Sequence, residues 1–311
     1  MKGFAKKTGQ AVLLMLGCTL LVFAIQVLSG RDPGRAILGT QATQTAVDAL
    51  NHRLGVDQPL LGQYLDFVAG LARGDLGLSF YSGAPVTEIL AGRAPVTASL
   101  IVLSFVISLV ITFPTTLLAV RNPGGPADVI SRGFVLAGTV IPSFWLGILL
   151  ILVIALPTGL FPAGGYPDDP SGQLRALVLP AITVAVGLAP VQIRTLRSAW
   201  LRAMRSPYVE APRSRGVGTT RLLISHALPN SLNPLVSLLA VQAGWAAFGA
   251  VIVENTFRLP GIGQGLIVDA SHSDFPLVNG TTLLLAFVVV LVSSAADGLA
   301  RLLDPRLRSA Q

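Results

Sequence analysis

Six long apolar runs constrain this chain more than any other feature. Each is close to the ~20 residues that a helix needs to cross about 30 Å of hydrocarbon. Hydrophobic residues fill 52% of the 311 positions and charged residues 12%, with a mean hydropathy of +0.70, so a soluble domain would lack the charge to wet its surface. The sequence therefore predicts an all-α integral membrane protein with six transmembrane helices. The runs cover residues 11–28, 96–120, 134–156, 174–191, 232–253 and 277–296.

Prolines lie inside several of these runs. Pro114 is in the second run, Pro142 in the third, and Pro180 and Pro190 in the fourth. A membrane helix tolerates proline because neighbouring helices can satisfy the carbonyl that it frees, although the helix often kinks there. We therefore predict that each run forms one span.

The first run also has features of a secretory signal. Lys2, Lys6 and Lys7 precede it, and Gly17 followed by Cys18 hints at a lipoprotein cleavage site. However, the apolar stretch continues past Cys18 and is longer than the usual core of a signal peptide. Because other spans follow, we favour an uncleaved first helix.

The distribution of charge sets the predicted orientation. With six spans and a cytoplasmic N-terminus, most of the 22 Lys and Arg residues fall in cytoplasmic segments, and most of the 15 acidic residues fall in outer ones. Cytoplasmic loops of membrane proteins carry an excess of Lys and Arg. Both termini are therefore predicted to be cytoplasmic. The pI near 10.3 reflects this asymmetry, which argues against nucleic acid as a partner.

The longest segment between runs, 29–95, is predicted to be a cap over the outer mouth. Residues 45–54 and 60–71 place apolar side chains at three- and four-residue spacing, which predicts two short helices. A disordered loop is the alternative, and aromatic residues such as Tyr64 and Phe67 argue against it. The predicted domains are 1–30 (tail and first helix), 31–93 (cap), 94–302 (five-helix transmembrane domain with a cytoplasmic loop at 194–229) and 303–311 (cytoplasmic tail).

Catalysis by this chain is not predicted. The single Cys18 excludes a disulfide scaffold, and His52, His226 and His272 lie too far apart for a zinc motif. The sequence has no phosphate-binding Gly-x-x-x-x-Gly-Lys-Ser/Thr segment and no grouped nucleophile and base. An ion-coupled secondary transporter is an alternative function, but the runs contain no central acid. A membrane enzyme would need a metal or nucleophile cluster, which the sequence does not show.

A basic, glycine-punctuated stretch at 208–229, YVEAPRSRGVGTTRLLISHALP, separates the fourth and fifth runs. Its Arg213 and Arg215 can pair with acids on a partner, while Gly216 and Gly218 can end a short helix and permit a sharp return. Leu228 and Pro229 open the next apolar helix in this interpretation. The stretch predicts a handle for a soluble cytoplasmic protein, and contact between its arginines and anionic lipid head groups is the alternative.

Phrases along the whole chain resemble one family of membrane proteins. Each phrase is weak alone, but their ordered combination is specific. Together with 208–229 they resemble the DppB/OppB-like permeases of the dipeptide/oligopeptide/nickel ABC importer family. The phrases are RDPGRAILG at 31–39, RGDLGLS at 73–79, IPSFWLG at 141–147, VENTFRLPGIG at 253–263 and LDPRLR at 303–308.

The resemblance implies a type I ABC importer permease, with a MetI-like fold, in the cell membrane. Such a subunit pairs with a second, homologous permease (DppC/OppC-like), two cytoplasmic ATPases and an extracytoplasmic solute-binding protein. ATP and Mg would be bound by the ATPases, so no cofactor is expected in this chain. The implied cargo is peptides or related small solutes such as nickel chelates, and a non-peptide cargo is an alternative.

In that family the loop before the fifth span carries a signature whose short helix docks on the ATPase. Pro212 stands where the family usually has alanine. Proline inside a helix costs about 3 kcal/mol, so we expect this helix either to kink at Pro212 or to start there. Carried over to this chain, the signature comprises Glu210, Ala211, Pro212, Gly216, Leu228 and Pro229, with Arg213 and Arg215 beside them.

Uncharged polar residues inside the runs are the candidates for the translocation path. Such groups usually face the protein interior or a water-filled path, although hydrogen bonding between helices is the simpler interpretation for any one of them. Gln242 is the best single candidate because it is mid-span among small residues. Glu254 is expected to open an outer loop and to contact the membrane interface or the binding protein. The candidates are Ser143, Gln192, Gln242 and Asn279, with Thr139 and Asn233 as further members.

Overall fold

The computed structural model describes residues 2–28, 30 and 32–303, which are largely helical, with one antiparallel bridge between Leu78 and Pro85. Arg31, residues 304–308 of the last family phrase and the predicted tail beyond Leu303 lie outside the described residues. The helices are α1 (Lys2–Leu28), α2 (Pro33–Leu38), α3 (Gln44–Leu54), α4 (Leu60–Leu71), α5 (Val86–Arg121), α6 (Pro126–Val140), α7 (Ser143–Leu150), π1 (Ile151–Ala155), α8 (Leu156–Thr158), α9 (Pro170–Met204), α10 (Pro207–Ser214), α11 (Thr219–Arg221), π2 (Leu222–Ala227), α12 (Leu228–Phe257), α13 (Ile262–Ser271) and α14 (Phe275–Leu303), where π1 and π2 are π-helical.

The chain divides into two units. The first unit contains Met1–Thr97 and Leu259–Val290, and the second contains Ala98–Arg258 and Leu291–Gln311. Helices α1 to α4 and α13 belong to the first unit, and α6 to α12 belong to the second. The long helices α5 and α14 contribute residues to both.

Three described helical stretches are long and apolar enough to cross a membrane, and a bent helix pair supplies a fourth if it counts as one span. Shorter apolar stretches lie in α1 and α14. All six predicted runs thus fall on helices, and the number of spans stays a prediction. The three stretches are Val86–Arg121, Pro170–Met204 and Thr219–Phe257, the bent pair is Pro126–Val140 with Ser143–Thr158, and the shorter stretches are Val12–Gln26 and Phe275–Leu291.

The third run is broken at Ile141 and Pro142, more sharply than the kink that its proline led us to expect, and whether it forms one span stays a prediction. Helix α6 and the helical stretch that begins with α7 meet at an angle of 106°. Ile141 and Pro142, between them, are extended, with ψ of 120° and 137°. Proline disfavours the helical conformation of the residue before it, which explains why α6 ends ahead of Ile141. In contrast, Pro180 and Pro190 lie inside the continuous α9.

Short helices fill the segment between α1 and α5. Helices α3 and α4 match the two stretches predicted there, so that prediction is confirmed. The Asp32 side chain caps α2 and also accepts a hydrogen bond from Asn51 of α3 at 2.8 Å. The Tyr64 hydroxyl of α4 donates to the Leu16 carbonyl of α1 at 2.8 Å. These bonds tie α2 to α3 and α4 to α1.

Two buried carboxylates organise the part of the first unit that contains α13. Asp269 accepts two hydrogen bonds from the Arg93 guanidinium of α5, at 2.6 Å and 3.2 Å. Asp274 accepts from the Ser79 hydroxyl at 2.5 Å and from the Phe80 amide at 3.1 Å. Both aspartates are at most 4% exposed, so their charges are neutralised or hydrogen-bonded where water cannot reach them. They fasten α13 and the start of α14 to α5 and to the loop before it.

Helix α9 is the central element of the second unit. It is the most buried of the three long stretches and packs against α6, α7 and α12. Its N-terminus is capped by Asp169, which accepts from the Gly172 amide, and Pro170 occupies the first turn, where a missing N–H has no consequence. The C-terminal end of α9 leads through Arg205 and Ser206 directly into α10.

Candidate functional site

Helix α10 contains Pro212, at which the sequence led us to expect either a kink or the start of the helix, and the kink stays a prediction. The helix begins at Pro207, with Ser206 as its N-cap, and Pro212 lies inside it. The expectation that the helix starts at Pro212 was therefore wrong. Proline suits the first turn of a helix because that turn has no partner for the N–H, and this role is taken by Pro207.

Gly216 ends α10 as the sequence predicted. Its φ is +81°, the left-handed region that favours glycine. The Gly216 amide donates to the Arg213 carbonyl at 3.0 Å, and the Val217 amide donates to the Pro212 carbonyl at 3.2 Å. These two bonds form a Schellman motif, which satisfies the last carbonyls of the helix. Gly218 has a different role, since it is the extended residue that precedes α11.

The apolar side of α10 is anchored in a hydrophobic core. Val209 is fully buried, and Pro212, one turn further along the same face, is half-buried. Trp200 of α9 is also buried, and its indole N–H donates to the Leu223 carbonyl of π2 at 2.9 Å. The core therefore joins α10 to the end of α9 and to π2. Its buried members are Val120, Leu196, Trp200, Ala203, Val209, Leu222, Leu223, Ala227 and Leu235.

Most other residues of α10 and of the turn that ends it are exposed. Glu210, Ala211, Arg213, Arg215 and Gly216 are all exposed. Glu210 lies in the first turn, where a negative charge interacts favourably with the helix dipole. The Arg213 guanidinium donates to the carbonyl of Met204 at 3.3 Å, which leaves donors of the same group for another acceptor. Helix α10 and its C-cap therefore present one exposed acid, Glu210, and two exposed bases, Arg213 and Arg215.

Leu228 and Pro229 are the first two residues of the α-helix α12, as predicted, but they do not start the helical backbone. Helical backbone already begins at Thr219 and passes through π2 before it reaches Leu228, which is half-buried. Pro229, which is exposed, lacks the N–H that an α-helix would direct to the Ser225 carbonyl. The wider π-helical turn ahead of Pro229 accommodates this irregularity without ending the helix.

The candidates for the translocation path are placed in different surroundings. Gln192 and Gln242 are buried and hydrogen-bonded to each other at 2.9 Å. Ser143 is half-buried at the start of α7. Asn279 belongs to the first unit, where it is buried and donates to Gln26 at 3.3 Å. Only Gln192 and Gln242 are thus shown to be in contact, and their role in a path stays a prediction.

A polar cluster around Gln192 links three helices. The Gln192 amide accepts from the Thr112 hydroxyl of α5 at 2.9 Å and donates to the Ser108 hydroxyl at 3.1 Å. The Gln242 amide of α12 donates to the Leu188 carbonyl of α9 at 2.9 Å. Because each buried amide has partners, the cluster stabilises the contacts between α5, α9 and α12.

Two acids differ from the sequence interpretation. Glu254 lies inside α12 and is fully buried, so the expectation that it opens an outer loop and contacts the membrane interface or a binding protein was wrong. Asp128, to which the sequence interpretation gave no role, is also fully buried and pairs with Arg132 and Arg197. The sequence signal that could have identified Asp128 is its place in the first turn of a helix that follows Gly124, Gly125 and Pro126, because an acid there interacts favourably with the helix dipole.

The fold and the site together define an all-helical membrane protein that presents a short amphipathic helix between two of its long helices. The chain matches the family described as "Binding-protein-dependent transport system inner membrane component" over residues 112–309, and the N-terminal region of such components over residues 1–101. The chain belongs to this family of ABC transporter permease subunits, as its phrases predicted.

Several relatives are similar over nearly their whole length. A putative peptide transport system permease protein of Brucella abortus is 34% identical over 306 residues, which cover 97% of this chain and 98% of the relative. The oligopeptide transport system permease protein AppB of Bacillus subtilis is 29% identical, again over 97% of this chain and 98% of the relative. The predicted permease function is therefore confirmed.

A solved structure supports the fold independently of sequence. The chain superimposes on the inward-facing MetNI methionine ABC transporter with a TM-score of 0.58 and 21% identity, over 70% of this chain and 97% of the other. The chain therefore has the MetI-like fold of type I ABC importer permeases, and this part of the fold prediction is confirmed.

Proposed function

We propose that this chain forms half of the translocation path of an ATP-driven importer of peptides. Membership of the binding-protein-dependent family supports the mode of transport. Peptide is the cargo that the names of the relatives from Brucella abortus and Bacillus subtilis state. The other half of the path is a second, homologous permease, and a solute-binding protein delivers the peptide from outside.

The proposed topology has six spans with both termini in the cytoplasm. The three long stretches, the bent pair and the shorter apolar stretches in α1 and α14 together supply six. With this orientation, the segment 31–93 is a cap on the outer side, and the domain 94–302 carries the remaining spans. The coupling loop 194–229 then faces the cytoplasm, and the protein resides in the cell membrane with lipid around its exposed apolar side chains.

Within this function, α10 is the helix that docks on one of two cytoplasmic ATPases, which bind ATP and Mg. The observation that carries this proposal is the two-sided character of α10. Val209 anchors α10 in a core shared with α9 and π2, while Glu210 is exposed on a different side of the helix and Arg213 is exposed one turn beyond Val209. A movement of α10 on an ATPase would therefore also move the end of α9 and, through π2, the start of α12.

Charge reversal of Glu210 tests this docking. We would reconstitute the chain with its second permease, ATPases and binding protein in liposomes and measure ATP-dependent uptake of ¹⁴C-labelled trialanine. Glu210→Lys is expected to lower uptake roughly tenfold or more, the size expected when a hydrogen bond to a charged group is lost. Co-purification of the two permeases should be unchanged.

Glu88→Lys is the matched control. Glu88 and Glu210 are both exposed acids in the first turn of a helix, so reversal of either has the same effect on the helix dipole. Only Glu210 is proposed to touch an ATPase. Equal loss of uptake in both variants, or no loss in Glu210→Lys, would contradict the docking role. Uptake by the unmodified chain without any ATPase would contradict the ATP-driven function itself, and ATP-dependent import that excludes trialanine would contradict the peptide cargo.

A further inference from the structure

Asp128 is a buried carboxylate that belongs neither to α10 nor to the polar cluster around Gln192. It lies in the first turn of α6, and its side chain is inaccessible to solvent. The carboxylate accepts from Nε and Nη2 of Arg197 at 2.8 Å and 3.0 Å, from Nη2 of Arg132 at 2.5 Å, and from the Gly124 amide at 3.0 Å. Asp128, Arg132 and Arg197 are named the α6–α9 clamp below.

The clamp joins two helices by a contact that resists separation. Arg197 belongs to α9, and its guanidinium donates one hydrogen bond to each carboxylate oxygen of Asp128 in α6. Planar, two-point pairs of this kind fix orientation as well as distance. A buried charge that loses its partner is strongly unfavourable, so α6 cannot part from α9 at this end without a large penalty.

A second contact holds the other end of α6 to the same helix. A methyl group at Gly138 would lie 2.8 Å from Cγ of Pro190 and 2.9 Å from the Val186 carbonyl oxygen, so only glycine admits this approach of α6 to α9. Helix α6 is therefore attached to α9 near both of its ends. Beyond Gly138 the backbone breaks at Ile141, so α6 is not continuous with α7.

The clamp lies close to the end of α9 that leads into α10. Arg197 is seven residues from Met204, or about 10 Å along the helix. We infer that Asp128 is a positioning residue which makes α6 follow α9 when α10 is moved by its ATPase. This inference rests on the proposed function, because it assigns to the clamp a step in the transmission from α10 to the membrane helices.

Distance measurement across the clamp tests the inference. In a Cys18→Ser background, spin labels would be placed at Val129 of α6 and Arg202 of α9, which are both exposed. Pulsed electron resonance on the reconstituted complex would compare the nucleotide-free state with the state trapped by ATP and vanadate. We expect one narrow distance that is the same in both states. A distance that changes between the two states in the unmodified clamp would overturn the inference.

Two variants separate a positioning role from a contribution to stability. Asp128→Asn should broaden or shift the distance between the labels in at least one state. It should also lower the transport ratio, which is the peptide taken up per ATP hydrolysed, roughly fivefold or more. Fivefold is the lower end of the coupling measured between distant sites in proteins. Asp128→Asn with Arg197→Gln leaves no unpaired buried charge, so it should assemble normally and still show the broad distance and the low ratio. Arg194→Gln, an exposed arginine one turn away on α9, should resemble the unmodified chain.

The outcomes distinguish the clamp from the proposed function. If Asp128→Asn or the double variant keeps the narrow distance and the full ratio, the positioning role is wrong. If Arg194→Gln lowers the transport ratio as strongly as Asp128→Asn, the ratio responds to any change of charge in this region, and the positioning role of Asp128 is also wrong. Failure of uptake in the unmodified complex would contradict the proposed function alone. The positioning role would then be judged by the distance between the labels, which can be measured without transported peptide.

Discussion

Replacement of Gly216 by alanine is expected to loosen the end of α10 for a reason that is purely conformational. Gly216 has a φ of +81°, and a methyl group built there meets no other atom within 4 Å. Gly218, two residues further, is equally open, but its φ is −62°. The pair therefore separates the effect of backbone conformation from the effect of an added side chain.

The magnitudes follow from this difference. An L-residue in the left-handed region costs about 1–2 kcal/mol, whereas alanine in place of glycine at a permitted conformation stabilises by about 0.4–1 kcal/mol through the unfolded chain. Gly216→Ala should therefore destabilise the last turn of α10, and Gly218→Ala should be neutral or stabilising. A gap of about 1.4 kcal/mol corresponds to a tenfold difference in local opening.

Hydrogen exchange reports this opening directly. The Val217 amide, which donates to the Pro212 carbonyl, should exchange about tenfold faster in Gly216→Ala than in Gly218→Ala. Gly216→Asn should recover part of the protection, because asparagine tolerates the left-handed region better than alanine. Equal exchange in the two alanine variants would refute the assignment of Gly216 as the residue that ends α10.

Two further predictions concern the first unit. In Gly265→Ala the new methyl would overlap a nitrogen of the Arg93 guanidinium, so the guanidinium must move and leave Asp269 under-paired. Thermal denaturation should show a loss of about 1–3 kcal/mol. The hydrogen bond to Asp57, and then its charge, raise the pKa of His52, and the hydrogen bond with His52 lowers the pKa of Asp57. Any stability from this exposed pair is therefore present between the two pKa values, and it is lost as pH rises through that of His52 or falls through that of Asp57. An NMR titration should show the His52 pKa falling in Asp57→Asn, and an unchanged value would contradict the pairing.

Much of the architecture could be predicted because it depends on local composition. The apolar runs locate the long helices, and three- and four-residue spacing locates α3 and α4. Glycine chemistry predicted the helix-ending role of Gly216, although the same argument gave that role to Gly218, which is extended and precedes α11. The burial of Asp128 and Glu254 could not be predicted, because it depends on partners far along the chain, such as Arg197 for Asp128. Charge counting treats such an acid as part of a loop.

The prolines show most clearly where local prediction stops. Pro142 breaks its run, Pro180 and Pro190 do not interrupt α9, and Pro212 lies inside α10. Each proline lacks the same N–H and, in a helix, crowds the carbonyl four residues earlier. Whether the helix continues through the proline therefore depends on the residues that pack around it. Helix α9 is packed on several sides by α6, α7 and α12, which holds its backbone helical through both prolines.

A sequence pattern nevertheless accompanies the π-helical turns. Both described π-helical segments end at the alanine of an Ala-Leu-Pro sequence, at 155–157 and at 227–229. In each, the proline lies just beyond the wider turn, where it has no N–H for the carbonyl four residues earlier. The π2 turn is also where Leu223 receives the hydrogen bond of Trp200. The irregular turn that Pro229 accompanies is thus the place where α9, α10 and the long helix after them are joined. The family signature's final Leu-Pro is therefore part of that joint as well as the start of α12.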